Sequence, residues 1–206
     1  MNNKILDLSI LMQDGMPAFP GDLSPSITHT VKYVESGYNN YVLNSGMHIG
    51  THMDGPLHMI DGGRKLCDFP INKFFGRGHL IDAREKEINS DLLENVDISI
   101  GDIVLIYTSF EDIFGSEEYY NSYPDIQESF ADVLINKGVS IVGMDSPSPD
   151  RHPYRIHKML LGNDILIIEN LTNLKSLINV RNFNVIALPL KIDADSASCR
   201  VVAEFY

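Results

Sequence analysis

The sequence predicts a single α/β domain, residues 1–206, built on a mixed sheet. Three observations predict it. Strand-length apolar runs outnumber helix-like segments, a helix-like segment falls between two of those runs, and 206 residues suffice for one substantial core but not for two.

In chain order, residues 41–48 form the first candidate strand, because Tyr41, Leu43 and Met47 alternate with Asn44, Gly46 and His48. Residues 90–94 are a candidate short helix. Ile103–Tyr107 (IVLIY) is a continuous β-branched and apolar run of strand length. Residues 110–123 (FEDIFGSEEYYNSY) are polar and read as a long surface loop, either plainly solvated or used as a lid or a dimer contact. Residues 125–137 (DIQESFADVLINK) place Phe130, Val133 and Leu134 on one helical face and stop at Gly138. Further strands are expected at 139–144, 165–168, 185–190 and 200–205, each bounded by Gly, Asp, Asn or Pro, with another candidate helix at 170–177.

Composition narrows the function classes. The chain is 44% hydrophobic and 21% charged, as folded globular proteins are, and its formal charge is -12 with no cluster of Lys or Arg. Nucleic acid and anionic membrane surfaces are therefore not expected partners. Cys67 and Cys199 lie far apart in no metal or disulfide pattern and read as free thiols of a reducing compartment. The opening MNNKILDLSILMQDG meets an acid at Asp7 and lacks a basic start and a long apolar run, so a cytoplasmic protein is expected.

The chemistry concentrates in residues 47–58, MHIGTHMDGPLH, which hold three of the seven histidines beside an aspartate. His48, His52 and Asp54 lie at even spacing, so an extended chain carries them on one face. Gly46, Gly50, Gly55 and Pro56 argue against the helical alternative. Two imidazoles and a carboxylate are ligand types that Zn²⁺, Mn²⁺ or Fe²⁺ accept, with positions left over for water. Downstream, the segment Met144-Asp145-Ser146-Pro147-Ser148 follows an expected strand, and His152, His157 and Glu169 are further candidate ligands. Glu169 ends an apolar run, where an unpaired carboxylate would be costly and a cation would remove the cost.

These residues carry a resemblance. HIGTHMDGPLH resembles the HxGTHxDxPxH signature of the metal-dependent cyclase-like hydrolase family, which includes bacterial kynurenine formamidases (arylformamidases) and isatin hydrolases. Phe19-Pro20-Gly21-Asp22 resembles its PGD element, and Gly143 to Ser148 its GxDxPS segment. His157 to Leu161, Ile168 to Leu171 and Leu188 to Ile192 match its later elements in the same order. The resemblance implies a swivelling β/β/α fold and a homodimer or homotetramer. It implies one metal ion on His48, His52 and Asp54, and in two-metal members a second, with Asp54 bridging and His157 and Glu169 as ligands. Zn²⁺ is the implied ion, with Mn²⁺ as the alternative, and His58 is the implied catalytic acid/base. The implied reaction is hydrolysis of a small amide, N-formylkynurenine first, with other amides, lactams or esters next. Phe19 stands where many of the formamidases carry Trp, and this chain has no Trp. Phe19 is thus the expected substrate-facing aromatic.

Two rival classes explain less. A non-haem iron oxygenase using His52, Asp54 and a distal His152 or His157 leaves His48, His58 and Glu169 without roles. A non-catalytic protein with a structural metal is expected to close four protein ligands, often cysteines, and neither cysteine lies in the motif.

Overall fold

The computed structural model describes residues 4–205. Ten strands are present: β1 (Lys4–Asp7), β2 (Ser26–Val31), β3 (Asn40–Asn44), β4 (His52–Asp54), β5 (Phe75–Asp82), β6 (Ile103–Tyr107), β7 (Ile141–Met144), β8 (Leu166–Glu169), β9 (Phe183–Pro189) and β10 (Ser196–Phe205). Four α-helices accompany them: α1 (Tyr33–Ser36), α2 (Glu117–Asn121), α3 (Glu128–Lys137) and α4 (Arg155–Leu161).

The main sheet runs β1-β10-β4-β8-β7-β6-β5-β9, and β9 also pairs with β10, so the sheet closes on itself. β5 to β8 are mutually parallel, while β4, β9 and β10 pair antiparallel. The mixed α/β architecture expected from sequence is what forms, in a barrel-like version.

Closure gives each strand an inner and an outer face, which explains the continuous apolar runs. In β6, Ile103, Leu105 and Tyr107 join the inner core with Met53, Ile141, Ile168, Phe183, Val185 and Ala203. Val104 and Ile106 point the other way and pack with Val142, Ile167 and the apolar faces of α3 and α4. Helix α3 buries Phe130, Ala131 and Leu134, and Gly138 ends it in the left-handed region with φ 66°.

Several elements differ from the sequence reading. The helix expected at 125–137 begins at Glu128, because Ile126 N–H donates to Pro149 O and Gln127 N–H to Ile88 O, which holds the chain extended there. The strand expected at 41–48 stops at Asn44 and gives way to bends, with Gly50 at φ 60°. The candidate helices at 90–94 and 170–177 shrink to 3₁₀ turns, Ser90–Leu93 and Leu174–Leu177. Residues 110–123 are not a solvated loop: they form a 3₁₀ turn and α2, and Tyr119 is buried with its hydroxyl 2.7 Å from Asn170 Oδ1. Sequence reading did not find α1, α2, α4, β1, β2 or β5, and it anticipated β4 only as an extended stretch of the motif.

Candidate metal centre and active site

β4 is three residues long and lies between β10 and β8. Its alternation sends Met53 into the inner core and His52 and Asp54 to the outer face. Across the ladder His52 faces Glu169, the last residue of β8. Helix α4 packs on this face and contributes His157. His48 arrives from the bends before β4, and His58 from the 3₁₀ turn Pro56–His58. The extended-chain argument therefore holds for His52 and Asp54, whereas His48 reaches the site through a looped chain that the left-handed Gly50 permits.

The distances are short. His48 Nδ1 lies 3.0 Å from Asp54 Oδ1, His52 Nε2 3.3 Å from Glu169 Oε2, and His157 Nε2 3.4 Å from Glu169 Oε1 and 3.9 Å from Asp54 Oδ2. Two clusters of donor atoms result, His48/Asp54/His58 and His52/Asp54/Glu169, with Asp54 common to both. His52 Nε2 and both carboxylate oxygens of Asp54 are buried with no partner in hydrogen-bond geometry, despite the nearness of His48. Orphaned buried groups of this kind cost about 1–3 kcal/mol each, more when charged, and a divalent cation would satisfy all three at once. The donor set fits a metal ion.

Neighbouring groups aim the donors. His52 Nδ1 donates to Gly50 O at 2.8 Å, which leaves Nε2 as the ligand nitrogen. Asp150 accepts from His157 Nδ1 at 2.5 Å and from the Ile156 backbone N–H at 2.6 Å, so one carboxylate orients the imidazole and caps the start of α4. Thr51 donates to Asn170 O at 2.6 Å and accepts from Ile10 N–H at 2.8 Å, tying the motif to the end of β8. Asp195, in the turn before β10, contacts both His48 Nε2 at 3.0 Å and His58 Nδ1 at 3.2 Å.

Electrostatics follow from this crowding. Burial lowers the affinity of His48 for a proton, but Asp54 and Asp195 outweigh it and raise its pKa to about 9. Burial acts likewise on His157, and Asp150 and Glu169 raise it to about 10. His52 is raised by Asp54 and Glu169 against its burial. Burial alone would push the Asp54 carboxyl up, yet His52 and His48 hold it well below the usual carboxylate range.

Above these groups is a cavity of about 250 Å³, lined by Phe19, Phe114, Tyr120 and Tyr154 as well as His48, His58, His157 and Glu169. Phe19 meets Tyr120 edge to face at 6.0 Å. All the site residues named from the sequence, His48, His52, Asp54, His58, His157, Glu169 and Phe19, thus converge. His152 is exposed and stays outside the cluster. Tyr38, Tyr41, Phe74 and Phe75, the other aromatics considered, do not line the cavity. Sequence reading missed Asp150, Asp195, Phe114, Tyr120 and Tyr154. For the two aspartates the available signal was a carboxylate in a short polar turn just before a strand or helix; the aromatics gave none.

The chain matches the Cyclase family over residues 6–151, a span that ends before His157 and Glu169. It is 30% identical to a kynurenine formamidase of Erythrobacter litoralis, over 97% of this chain and 93% of that one. A solved structure described as a potential metal-dependent hydrolase with cyclase activity superposes with a TM-score of 0.80 at 26% identity, covering 98% of both chains. The isatin hydrolase A of Ralstonia solanacearum shares the fold with a TM-score of 0.87 at 22% identity, over 99% of this chain and 92% of that one.

Proposed function

The chain belongs to the Cyclase family and is a metal-dependent hydrolase, and from that premise we propose that it is an arylformamidase-type enzyme that cleaves N-formylkynurenine to kynurenine and formate. The observation that carries this reading is the convergence of five metal-ligand side chains and one further histidine beneath an aromatic-walled cavity of about 250 Å³, a volume suited to a substrate with one aryl ring.

Zn²⁺ is the proposed ion and Mn²⁺ the alternative, because the donors are imidazoles and carboxylates with no thiolate. Sharing of Asp54 between two donor clusters supports a pair of ions. When bound, the metal polarises the amide carbonyl and makes water nucleophilic near neutral pH. His58 would accept a proton as water adds to the carbonyl carbon and return it to the departing nitrogen, so that C–O bond formation is followed by C–N cleavage and the amine leaves neutral. Phe19, Phe114, Tyr120 and Tyr154 face the aryl ring and exclude bulk solvent. The two free thiols support the cytoplasm as its compartment. The proposed active form is a homodimer or homotetramer, with only a small-molecule substrate as a further partner.

The test is hydrolysis of N-formylkynurenine by purified protein, followed optically, with chelator-stripped and zinc- or manganese-restored samples in parallel. Turnover should vanish on stripping and return with metal. His58→Ala should lower kcat by about 10²–10⁴ with metal content unchanged; undiminished turnover would refute its role. One observation favours a second reading: among the described residues no Lys or Arg lines the cavity, while Asp22 does. That lining suits an uncharged small amide, lactam or ester better than a substrate bearing a carboxylate. Metal-loaded protein that ignores N-formylkynurenine but cleaves formanilide would establish this reading over the first.

A further inference from the structure

We propose that Asp195 is a positioning residue that sets the tautomers of His48 and His58 together, through a single carboxylate oxygen. The inference rests on the hydrolase reading above and deepens it. Oδ2 of Asp195 lies 3.0 Å from His48 Nε2 and 3.2 Å from His58 Nδ1. A carboxylate can only accept, so both imidazoles carry a proton on the nitrogen that faces it. For His48 this reserves Nδ1, 3.0 Å from Asp54 Oδ1, as the nitrogen from which a cation displaces the proton. His58 is left with Nε2 as its free base.

The carboxylate is held in register with the motif it serves. Asp195 O accepts from Gly55 N–H at 2.9 Å, and the next residue, Ser196, pairs with Asp54 in the ladder and donates from Oγ to Met53 O at 2.8 Å. The two rings it bridges lie 4.2 Å apart, centroid to centroid, so the metal ligand and the acid/base share one support. The free histidine side chain prefers its proton on Nε2. Without Asp195, His58 would therefore present a donor where the reaction needs an acceptor.

The experiment uses ¹⁵N-labelled, zinc-loaded full-length protein, wild type beside Asp195→Ala and Asp195→Asn. NMR reads the histidine tautomers through their long-range ¹H–¹⁵N couplings, and competition with a chelator reads zinc affinity. In the wild type His58 should show the Nδ1–H form. In Asp195→Ala it should move toward Nε2–H, with zinc affinity falling about 10–100-fold and, where substrate is turned over, kcat falling while KM holds. If the Ala variant does not fold, the near-isosteric Asn variant decides by zinc affinity, since its amide oxygen can still accept from the ring while loss of the charge should weaken zinc. An unchanged His58 tautomer in a folded Asp195→Ala variant overturns the proposal, as does unchanged zinc affinity. Neither readout needs a substrate, so failure of the formamidase assignment is distinguishable from failure of this one.

Discussion

At the scale of single residues, the site is built by pairing each imidazole with a group that decides which of its nitrogens is free. Gly50 O does this for His52, and Asp150 for His157. The same carboxylates hold protons on the ligands, with His48 near 9 and His157 near 10. A cation must displace those protons, so metal affinity should fall as pH drops below about 10, more steeply below about 9, and binding near neutrality should release protons. Calorimetry of zinc binding in buffers of different ionisation enthalpy measures the release directly; a buffer-independent heat would contradict it. The ligands and His58 were legible from the sequence because they sit in one motif or match later family elements. Asp150 and Asp195 were not, because an isolated aspartate in a turn looks the same whether it meets solvent or an imidazole 137 residues away.

Among elements, legibility followed hydrophobicity. β6 is uniformly apolar, and its bounds could be read from IVLIY alone. β5 (FGRGHLID) hid because Arg77 and His79 interrupt the apolar pattern, and the structure shows why they are there. Asp102, just before β6, accepts from Arg77 Nε at 3.2 Å, His79 Nε2 at 2.7 Å and Ser99 N–H at 2.9 Å, a polar clamp between parallel strands. Burial favours its neutral form, but these donors lower its pKa below the ordinary 3.8. The clamp's contribution is therefore present above pH 3.8 and lost as pH falls through the lowered value. Asp102→Asn should cost about 2 kcal/mol near neutral pH, seen as a drop in Tm of several degrees (about 2–4 °C per kcal/mol). The gap to wild type should close on acidification below pH 3.8; a gap that persists there would assign the loss to packing. Helix α4 escaped notice for another reason: seven residues after a proline show too little periodicity, and its start is fixed by the side chain of Asp150.

At the scale of the whole molecule, the closed sheet leaves one exception among the described residues, the hairpin of β2 and β3, which pairs only with itself. All five residues of β3 are exposed, and Val34 in α1, which connects the two strands, is 87% exposed alongside Tyr33, Tyr38, Tyr41, Val42 and Leu43. A lone two-stranded hairpin is marginal in water, and so large an apolar surface on an acidic chain supports the proposed contact with a second copy. Light scattering on the eluting protein should give a dimer or tetramer mass, and Tyr41→Glu with Leu43→Glu should shift it toward the monomer. A monomeric wild type would remove the hairpin from that role. No helix among the described residues is long and apolar enough to cross a membrane.

The cross-ladder pair of His52 and Glu169 has a consequence for folding. Its members lie on antiparallel neighbours whose segments are separated by most of the parallel sheet in sequence, and His157 joins them from a helix that needs that sheet as its floor. No local stretch of the chain can assemble the full donor set, so the complete site should form only once β4 has paired with β8. A bound metal ion then acts as a latch on that pairing: at 100 times its dissociation constant it should add about 2.7 kcal/mol to stability, and the rate at which a refolding chain takes up the ion becomes a clock for the docking of β4 on β8.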